Sequence, residues 1–195
     1  KVALNMATLG VDLYSITGNK FGAPKGAGAL YVREGVKLQR VQFGGRHERE
    51  RRPGTENVPG IAALGAAARW LRENGPAEQS RLGALRDRIE TSVLARIPGA
   101  VVNAAGAART PNTANIAFDG LDGEALLIAL DLAGFAVATG AACSSGAVNP
   151  SHVLTAMGLT RSQAKSCLRL SVGRGNTVQQ VDALVEALET AVTRL

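Results

Sequence analysis

Residues 11–33 read VDLYSITGNKFGAPKGAGALYVR, and this stretch decides how the first part of the chain folds. Segments 11–17 and 28–33 are rich in β-branched and aromatic residues, which strands favour. Glycine and proline punctuate the sequence between the two segments, and both residue types favour a loop. We therefore predict two short strands joined by a loop with a functional role.

Two helices are predicted after this strand pair. The first covers residues 58–74, with Asn57 as its N-cap and Pro59 in its first turn, where a missing N–H costs nothing. The second covers residues 76–97 and is stopped by the proline and glycine that follow. Its apolar residues recur at helical spacing: Leu82, Leu85, Ile89 and Val93.

The rest of the sequence predicts a compact α+β unit. Two helices are expected at residues 121–132 and 151–157, and two more begin at capping boxes, in which Thr and Gln three residues apart satisfy main-chain donors. The boxes are Thr160 with Gln163, and Thr177 with Gln180. Strands are predicted at 100–103, 113–118, 135–139 and 168–172. One apolar face is expected on the last helix: Val181, Leu184, Val185, Leu188 and Val192.

Composition excludes several classes of protein. The chain has 195 residues, 46% of them hydrophobic, yet Asp131 and Gly134 interrupt its most apolar region, so no membrane span is predicted. The formal net charge of +6 could attract nucleic acid. Aromatic residues make up only 4% of the chain, however, and the basic cluster at 46–52 contains two glutamates. We therefore expect no nucleic-acid partner.

The two cysteines, Cys143 and Cys167, predict neither a disulfide framework nor a metal site. They lie far apart, no CxxC motif is present, and the chain has only two histidines. A cytoplasmic location fits this cysteine usage. Cys167 lies at the entry to a predicted strand, where a packing role is favoured.

Lys20 is the first candidate for chemistry. It follows Thr17, Gly18 and Asn19 at the end of the first predicted strand. A lysine in such surroundings can act as an amine nucleophile, as in a Schiff base to pyridoxal phosphate, and Thr17 could donate to the phosphate. The alternative on this stretch alone is an ordinary solvated lysine.

Cys143 is the second candidate. It stands in GAACSSG, seven consecutive residues with no side chain larger than cysteine. Such a segment buries little surface, so its composition predicts an accessible thiol on a mobile loop. A nearby cation or proton acceptor would make that thiol a good nucleophile at neutral pH. A small buried hydrophobic residue is the competing interpretation.

Arg169 and Thr55 complete the candidates. Period-two alternation places Arg169 on one face of a strand, beside small residues, where it could hold a substrate carboxylate at two points. A surface or interdomain salt bridge is the alternative. Thr55 lies just before a helix and could contribute to an anion site, although an ordinary helix cap explains it equally well.

Taken together, seven stretches resemble the carboxy-terminal half of a cysteine desulfurase of the nitrogen-fixation and iron–sulfur-assembly type, in the class V aminotransferase family. They are VDLYSITGNK at 11–20, GAPKGAGALYV at 22–32, GTENVPGI at 54–61, NTANIAF at 112–118, TGAACSSG at 139–146, PSHVLTAMG at 150–158 and LRLSVGRGNT at 168–177. The chain also starts at Lys1 without an initiator Met, and we expect truncation or processing.

The resemblance implies a pyridoxal-phosphate-dependent transferase of fold type I, normally a homodimer. Residues 1–60 would end the cofactor-binding large domain, residues 61–97 would form connecting helices, and residues 98–195 would form the α+β small domain.

It also implies the site residues. Lys20 would hold pyridoxal phosphate covalently, with Thr17 and Asn19 at its phosphate and Thr55 at the phosphate of the other subunit. Arg169 would bind the carboxylate of L-cysteine. Cys143 would take the sulfur as a persulfide, release L-alanine and pass sulfur to an acceptor or iron–sulfur scaffold protein.

Three departures from the family pattern bear on the phosphate and interface contacts. Asn19 stands where the family has His, Arg46 where it has Gly, and Pro53 where it has Ser. The family's ring-stacking His and pyridine-pairing Asp precede the lysine strand, so we expect this chain alone to be inactive. The alternatives are a selenocysteine lyase, an aminotransferase or another class V enzyme, or a non-catalytic interaction fragment.

Overall fold

The structure is a computed structural model that describes residues 2–140 and 150–195. The chain divides into two compact units, Lys1–Pro76 and Ala77–Leu195. Within the described residues, no helix is both long and apolar enough to cross a membrane. The division at 1–60, 61–97 and 98–195 stays a prediction.

Unit 1 is built on the predicted strand pair. A short helix, α1 (Met6–Leu9), precedes β1 (Leu13–Thr17) and β2 (Gly28–Val32), which pair antiparallel. The register places Leu13 opposite Val32 and Thr17 opposite Gly28. Both predicted strands are therefore confirmed, and the connecting loop follows Thr17, the last residue of β1.

A single long helix follows, α2 (Val58–Arg96), with Pro76 inside it. The predicted N-cap is confirmed, because Asn57 Oδ1 accepts a hydrogen bond from the N–H of Gly60 at 3.1 Å. The predicted break at Pro76 is wrong. Proline removes only one main-chain donor from the helix. The segments before and after Pro76 contain many good helix formers, and these residues sustain the helix through it.

Unit 2 contains an antiparallel sheet of three strands in the order β3 (Ala100–Val102), β4 (Thr113–Phe118) and β5 (Cys167–Ser171). Its helices are α3 (Gly123–Leu132), α4 (His152–Ala156), α5 (Arg161–Lys165) and α6 (Val178–Arg194). Both predicted capping boxes are confirmed at the starts of α5 and α6.

One hydrophobic core joins the second half of α2, the sheet, α3 and α6. The predicted inward residues of α2 are all buried, as are Val181, Val185 and Leu188 of α6. Leu184 and Val192 pack against the same core while remaining partly exposed. The sheet therefore packs one face, which includes Leu168 and Leu170 of β5, against this core.

The predicted strand at 135–139 is wrong. Only Ala138 forms a bridge, with Arg169 of β5. The N–H of Phe135 instead donates to the carbonyl of Leu130, 2.9 Å away, and so completes the end of α3.

Candidate active site

Lys20 is presented by a single tight turn at the end of β1. Residues Gly18–Lys20 form a 3-10 turn, and the Gly18 N–H donates to the carbonyl of Ala27 at 2.9 Å. A Cβ atom at Gly18 would lie 2.9 Å from the side chains of both Ala23 and Leu64, so only glycine fits. This close packing fixes the turn on which Lys20 stands.

The Lys20 side chain is exposed and forms no hydrogen bond or ion pair with any residue that the structure describes. Its neighbours are already organised, since the Thr17 hydroxyl donates to Asn19 Oδ1 at 2.7 Å. That bond uses the amide oxygen of Asn19 and leaves its NH₂ group to donate elsewhere. The structure thus brings Thr17, Asn19 and Lys20 together as a hydroxyl, an amide and an amine within one turn.

Thr55 is exposed, two residues before the N-cap of α2. The turn before it is shaped by Gly54, whose φ of 104° lies in the left-handed region that favours glycine. Arg52 Nη1 donates to the carbonyl of Pro53 at 3.1 Å. Asn57 caps α2 itself, so the Thr55 hydroxyl is not needed for that role.

The segment just upstream contains a feature that the sequence did not suggest. Glu48, Arg49 and Glu50 all have positive φ, between 50° and 64°, which costs energy for residues other than glycine. The His47 ring lies so close to Gly45 that a Cβ there would be 2.5 Å from Cε1. His47 Nδ1 is buried with no hydrogen-bond partner among the described residues.

Arg169 lies in β5, half-buried, with the predicted alternation confirmed: Leu168, Leu170 and Val172 are buried on the opposite face. Its main chain pairs with Asn115 on one side and with Ala138 on the other. The Arg169 N–H donates to the Ala138 carbonyl at 2.5 Å, and the Ala138 N–H donates to the Arg169 carbonyl at 3.2 Å. Its guanidinium forms no hydrogen bond or ion pair with the part of the chain that the structure describes.

Cys143 lies in residues 141–149, outside the described residues. Among the residues that the structure describes, Ala138, five positions before Cys143 in the sequence, is paired directly with Arg169.

The other cysteine, Cys167, lies within the residues that the structure describes. It is 0% exposed, its thiol donates to the Gln163 carbonyl at 3.1 Å, and Asn103 Nδ2 donates to its sulfur at 3.3 Å. Burial raises the pKa of the Cys167 thiol, an effect that the Asn103 hydrogen bond opposes. The packing role predicted for Cys167 is confirmed.

An arginine on α2, which the sequence did not single out, holds the segment that follows β5. Arg81 donates to the carbonyls of Gly173, Arg174 and Asn176, at 3.2, 3.3 and 2.7 Å. Glu78 accepts two further bonds from the same guanidinium, at 2.8 and 2.9 Å. Sequence spacing could reveal the Glu78–Arg81 pair, but not a contact with residues more than ninety positions away.

Comparison with known proteins relates the whole chain to one family. A profile of the family described as "Aminotransferase class-V" matches residues 1–184. A cysteine desulfurase of Gluconacetobacter diazotrophicus is 45% identical over 195 residues, which is 100% of this chain and 49% of that protein. The cysteine desulfurase IscS of Clostridium botulinum is 42% identical over 189 residues, covering 96% of this chain and 48% of that protein.

A solved structure agrees with the fold. The X-ray structure of a NifS-like protein from Rickettsia africae ESF-5 matches with a TM-score of 0.86 at 31% identity, covering 100% of this chain and 51% of that chain. The chain spans about half the length of the curated relatives it matches. These matches confirm the mixed α/β fold and the resemblance drawn from the seven sequence stretches. The chain belongs to the class-V aminotransferase family.

Proposed function

We propose that the protein is a pyridoxal-phosphate-dependent cysteine desulfurase, which converts L-cysteine to L-alanine and leaves the sulfur as a persulfide on Cys143. The observation that carries this proposal is the main-chain pairing of Arg169 with Ala138. Ala138 stands five positions before Cys143 in the sequence, and the Arg169 guanidinium has no hydrogen-bond or ion-pair partner among the described residues. The similarity to cysteine desulfurases supports the same chemistry.

The residues around Lys20 fit the cofactor. A phosphate accepts hydrogen bonds, and the Asn19 NH₂ group would donate one within one turn of the exposed Lys20 amine. The Thr17 hydroxyl would donate another after turning away from Asn19 Oδ1, to which it donates in this structure. Lys20 would bind the cofactor through Nζ and later carry protons at that atom. Thr55 would donate to the phosphate held by the second subunit of a homodimer. Pyridoxal phosphate, when bound, supplies an electron sink for the substrate carbon atoms.

Arg169 would bind the substrate carboxylate. Its planar guanidinium offers two parallel N–H donors, which match the two oxygens of a carboxylate. Because β5 is held by pairing on both edges, the guanidinium starts from a fixed main chain. This arrangement favours one orientation of L-cysteine, with its sulfur available to an approaching thiolate.

Cys143 would take the sulfur directly. Its thiolate attacks the substrate sulfur, a bond forms between the two sulfur atoms, and the bond from sulfur to the substrate β-carbon breaks. The electron pair of the broken bond is protonated on carbon, and L-alanine results. One L-cysteine and one thiol thus yield one L-alanine and one persulfide, which a sulfur-acceptor or iron–sulfur scaffold protein would then receive.

The experiment uses the full-length protein that contains this chain, loaded with cofactor and given L-cysteine. Alanine release and the mass of the Cys143 peptide are measured for wild type, Cys143→Ser and Cys167→Ser. The Cys167 variant is the matched control, because serine can keep both of its hydrogen bonds. We expect only Cys143→Ser to lose the added sulfur. Alanine release by Cys143→Ser at the wild-type rate would contradict the role of Cys143 as the sulfur acceptor.

A further inference from the structure

We propose that Arg81 is a positioning residue for substrate binding. It fixes the segment 173–176 immediately after β5, and through that strand it sets Arg169 for the carboxylate of the amino-acid substrate. This inference rests on the proposed role of Arg169.

Arg81 holds this segment by its main chain. One guanidinium donates to the carbonyls of three of its four residues, Gly173, Arg174 and Asn176. Arginine can do this because its five N–H donors lie in one plane. Lysine carries its donors on a single ammonium group and cannot donate hydrogen bonds to all three of these carbonyls.

The segment 173–176 needs contacts with the rest of the unit to keep one conformation. Gly173 and Gly175 give its backbone wide conformational freedom. Its internal bonds come from Asn176, whose N–H donates to the Gly173 carbonyl at 3.0 Å and whose Oδ1 accepts from the Gly173 N–H at 2.8 Å. Arg81 ties this small ring to α2, which belongs to the core of unit 2 in this region.

Hydrogen bonds between Val172 and Asn112 connect the segment 173–176 to β5, which carries Arg169. The Val172 N–H donates to the Asn112 carbonyl at 2.9 Å, and Asn112 Nδ2 donates to the Val172 carbonyl at 3.1 Å. Asn112 is only 3% exposed, so this pair is shielded from water. The bonds from Asn112 and Arg81 restrain the chain at the end of β5. Bidentate binding by Arg169 depends on the position of that strand.

Arg81 and Arg169 differ in whether a nearby carboxylate neutralises their charge. Glu78 neutralises Arg81, and the hydrogen bond from Arg81 lowers the pKa of the Glu78 carboxyl. Arg81 therefore does not compete for an incoming carboxylate. Arg169 has no acidic partner among the described residues and is left for the ligand.

The test compares Arg81→Ala, Arg81→Lys and Glu78→Gln with Arg88→Ala in the full-length cofactor-loaded protein. Arg88 is the matched control: it too is an arginine of α2 with a long-range partner, Asp182 of α6, but no contact with the segment 173–176 is seen among the described residues. The readouts are kcat and KM for L-cysteine, the dissociation constant of L-alanine without turnover, and amide hydrogen exchange of residues 172–177.

We expect Arg81→Ala to raise both KM and the L-alanine dissociation constant by about tenfold, with kcat changed by less than about twofold. Exchange at 172–177 should accelerate. Arg81→Lys and Glu78→Gln should show smaller shifts in the same direction, and they decide the question if Arg81→Ala does not fold. Arg88→Ala should match wild type in ligand affinity.

Two results overturn different claims. If Arg81→Ala and Arg81→Lys lower the unfolding temperature but bind L-alanine as tightly as wild type, Arg81 is merely structural and the positioning role is wrong. If Arg169→Ala itself binds L-alanine like wild type, the proposed function of Arg169 fails, and the inference about Arg81 fails with it.

Discussion

Arg169 and Ala138 exchange both of their main-chain hydrogen bonds at the edge of β5. This one pair links the strand that carries the candidate substrate-binding cation to the segment that leads to Cys143. A rigid strand and a connected segment would serve sulfur transfer well, because the substrate must be held while the thiolate approaches it.

Arg169→Lys should weaken substrate binding although it keeps the positive charge. Lysine cannot present two parallel donors to a carboxylate, so we expect the L-alanine dissociation constant to rise by about tenfold or more. Isothermal titration of the full-length protein measures the change. Arg161→Lys is a suitable surface control, and equal affinity in wild type and Arg169→Lys would contradict two-point binding.

Gly18→Ala should disrupt the turn that presents Lys20. The added Cβ would lie 2.9 Å from Ala23 Cβ and from Leu64 Cδ1, so we expect a loss of about 1–3 kcal/mol in unfolding free energy. Cofactor loading, followed by absorbance, should fall as well. Gly65→Ala is the control, because nothing lies within 4 Å of that Cβ and alanine favours the helix. Normal loading of Gly18→Ala would show that this turn tolerates displacement.

Glu90→Ala should destabilise unit 2 strongly. Glu90 is 9% exposed and accepts two hydrogen bonds from Arg109, which lies in the connection between β3 and β4. Removing the carboxylate leaves a largely buried guanidinium without its partner, at a cost of about 3 kcal/mol. Denaturant unfolding checks this value. Asp182→Ala, which breaks an exposed pair with Arg88, should change stability little, and similar losses in both variants would argue against burial as the cause.

Acid should release the Arg81 contact with Glu78. A carboxyl whose pKa is lowered on folding stabilises the fold above its unfolded-state pKa, and that effect disappears as pH falls through the folded-state value. The stability advantage of wild type over Glu78→Gln should therefore be present at neutral pH. It should be lost on acidification below the ordinary glutamate pKa of 4.5. A difference that stays constant from neutral to acid pH would show that the Glu78 charge contributes nothing.

Local signals in the sequence predicted local structure well. Thr160 and Thr177 start helices because each capping box satisfies main-chain donors within four residues, and no distant contact is needed. The alternation around Arg169 was equally readable, since a strand on a core has one buried face.

Features that depend on tertiary contacts could not be read in the same way. Pro76 has the local character of a helix boundary, yet α2 continues through it. Residues 135–139 have strand-like composition, but Phe135 is committed to the end of α3 and only Ala138 pairs. Arg81 looks like one member of a surface ion pair until the fold brings the segment 173–176 to it.

The proposed function depends above all on the transfer of sulfur from L-cysteine to Cys143. Peptide mass spectrometry of the full-length cofactor-loaded protein after a single turnover detects this transfer. We expect the mass of one added sulfur atom on the Cys143 peptide, removed by thiol reduction, with none on Cys167. Alanine release without any sulfur on Cys143 would contradict it.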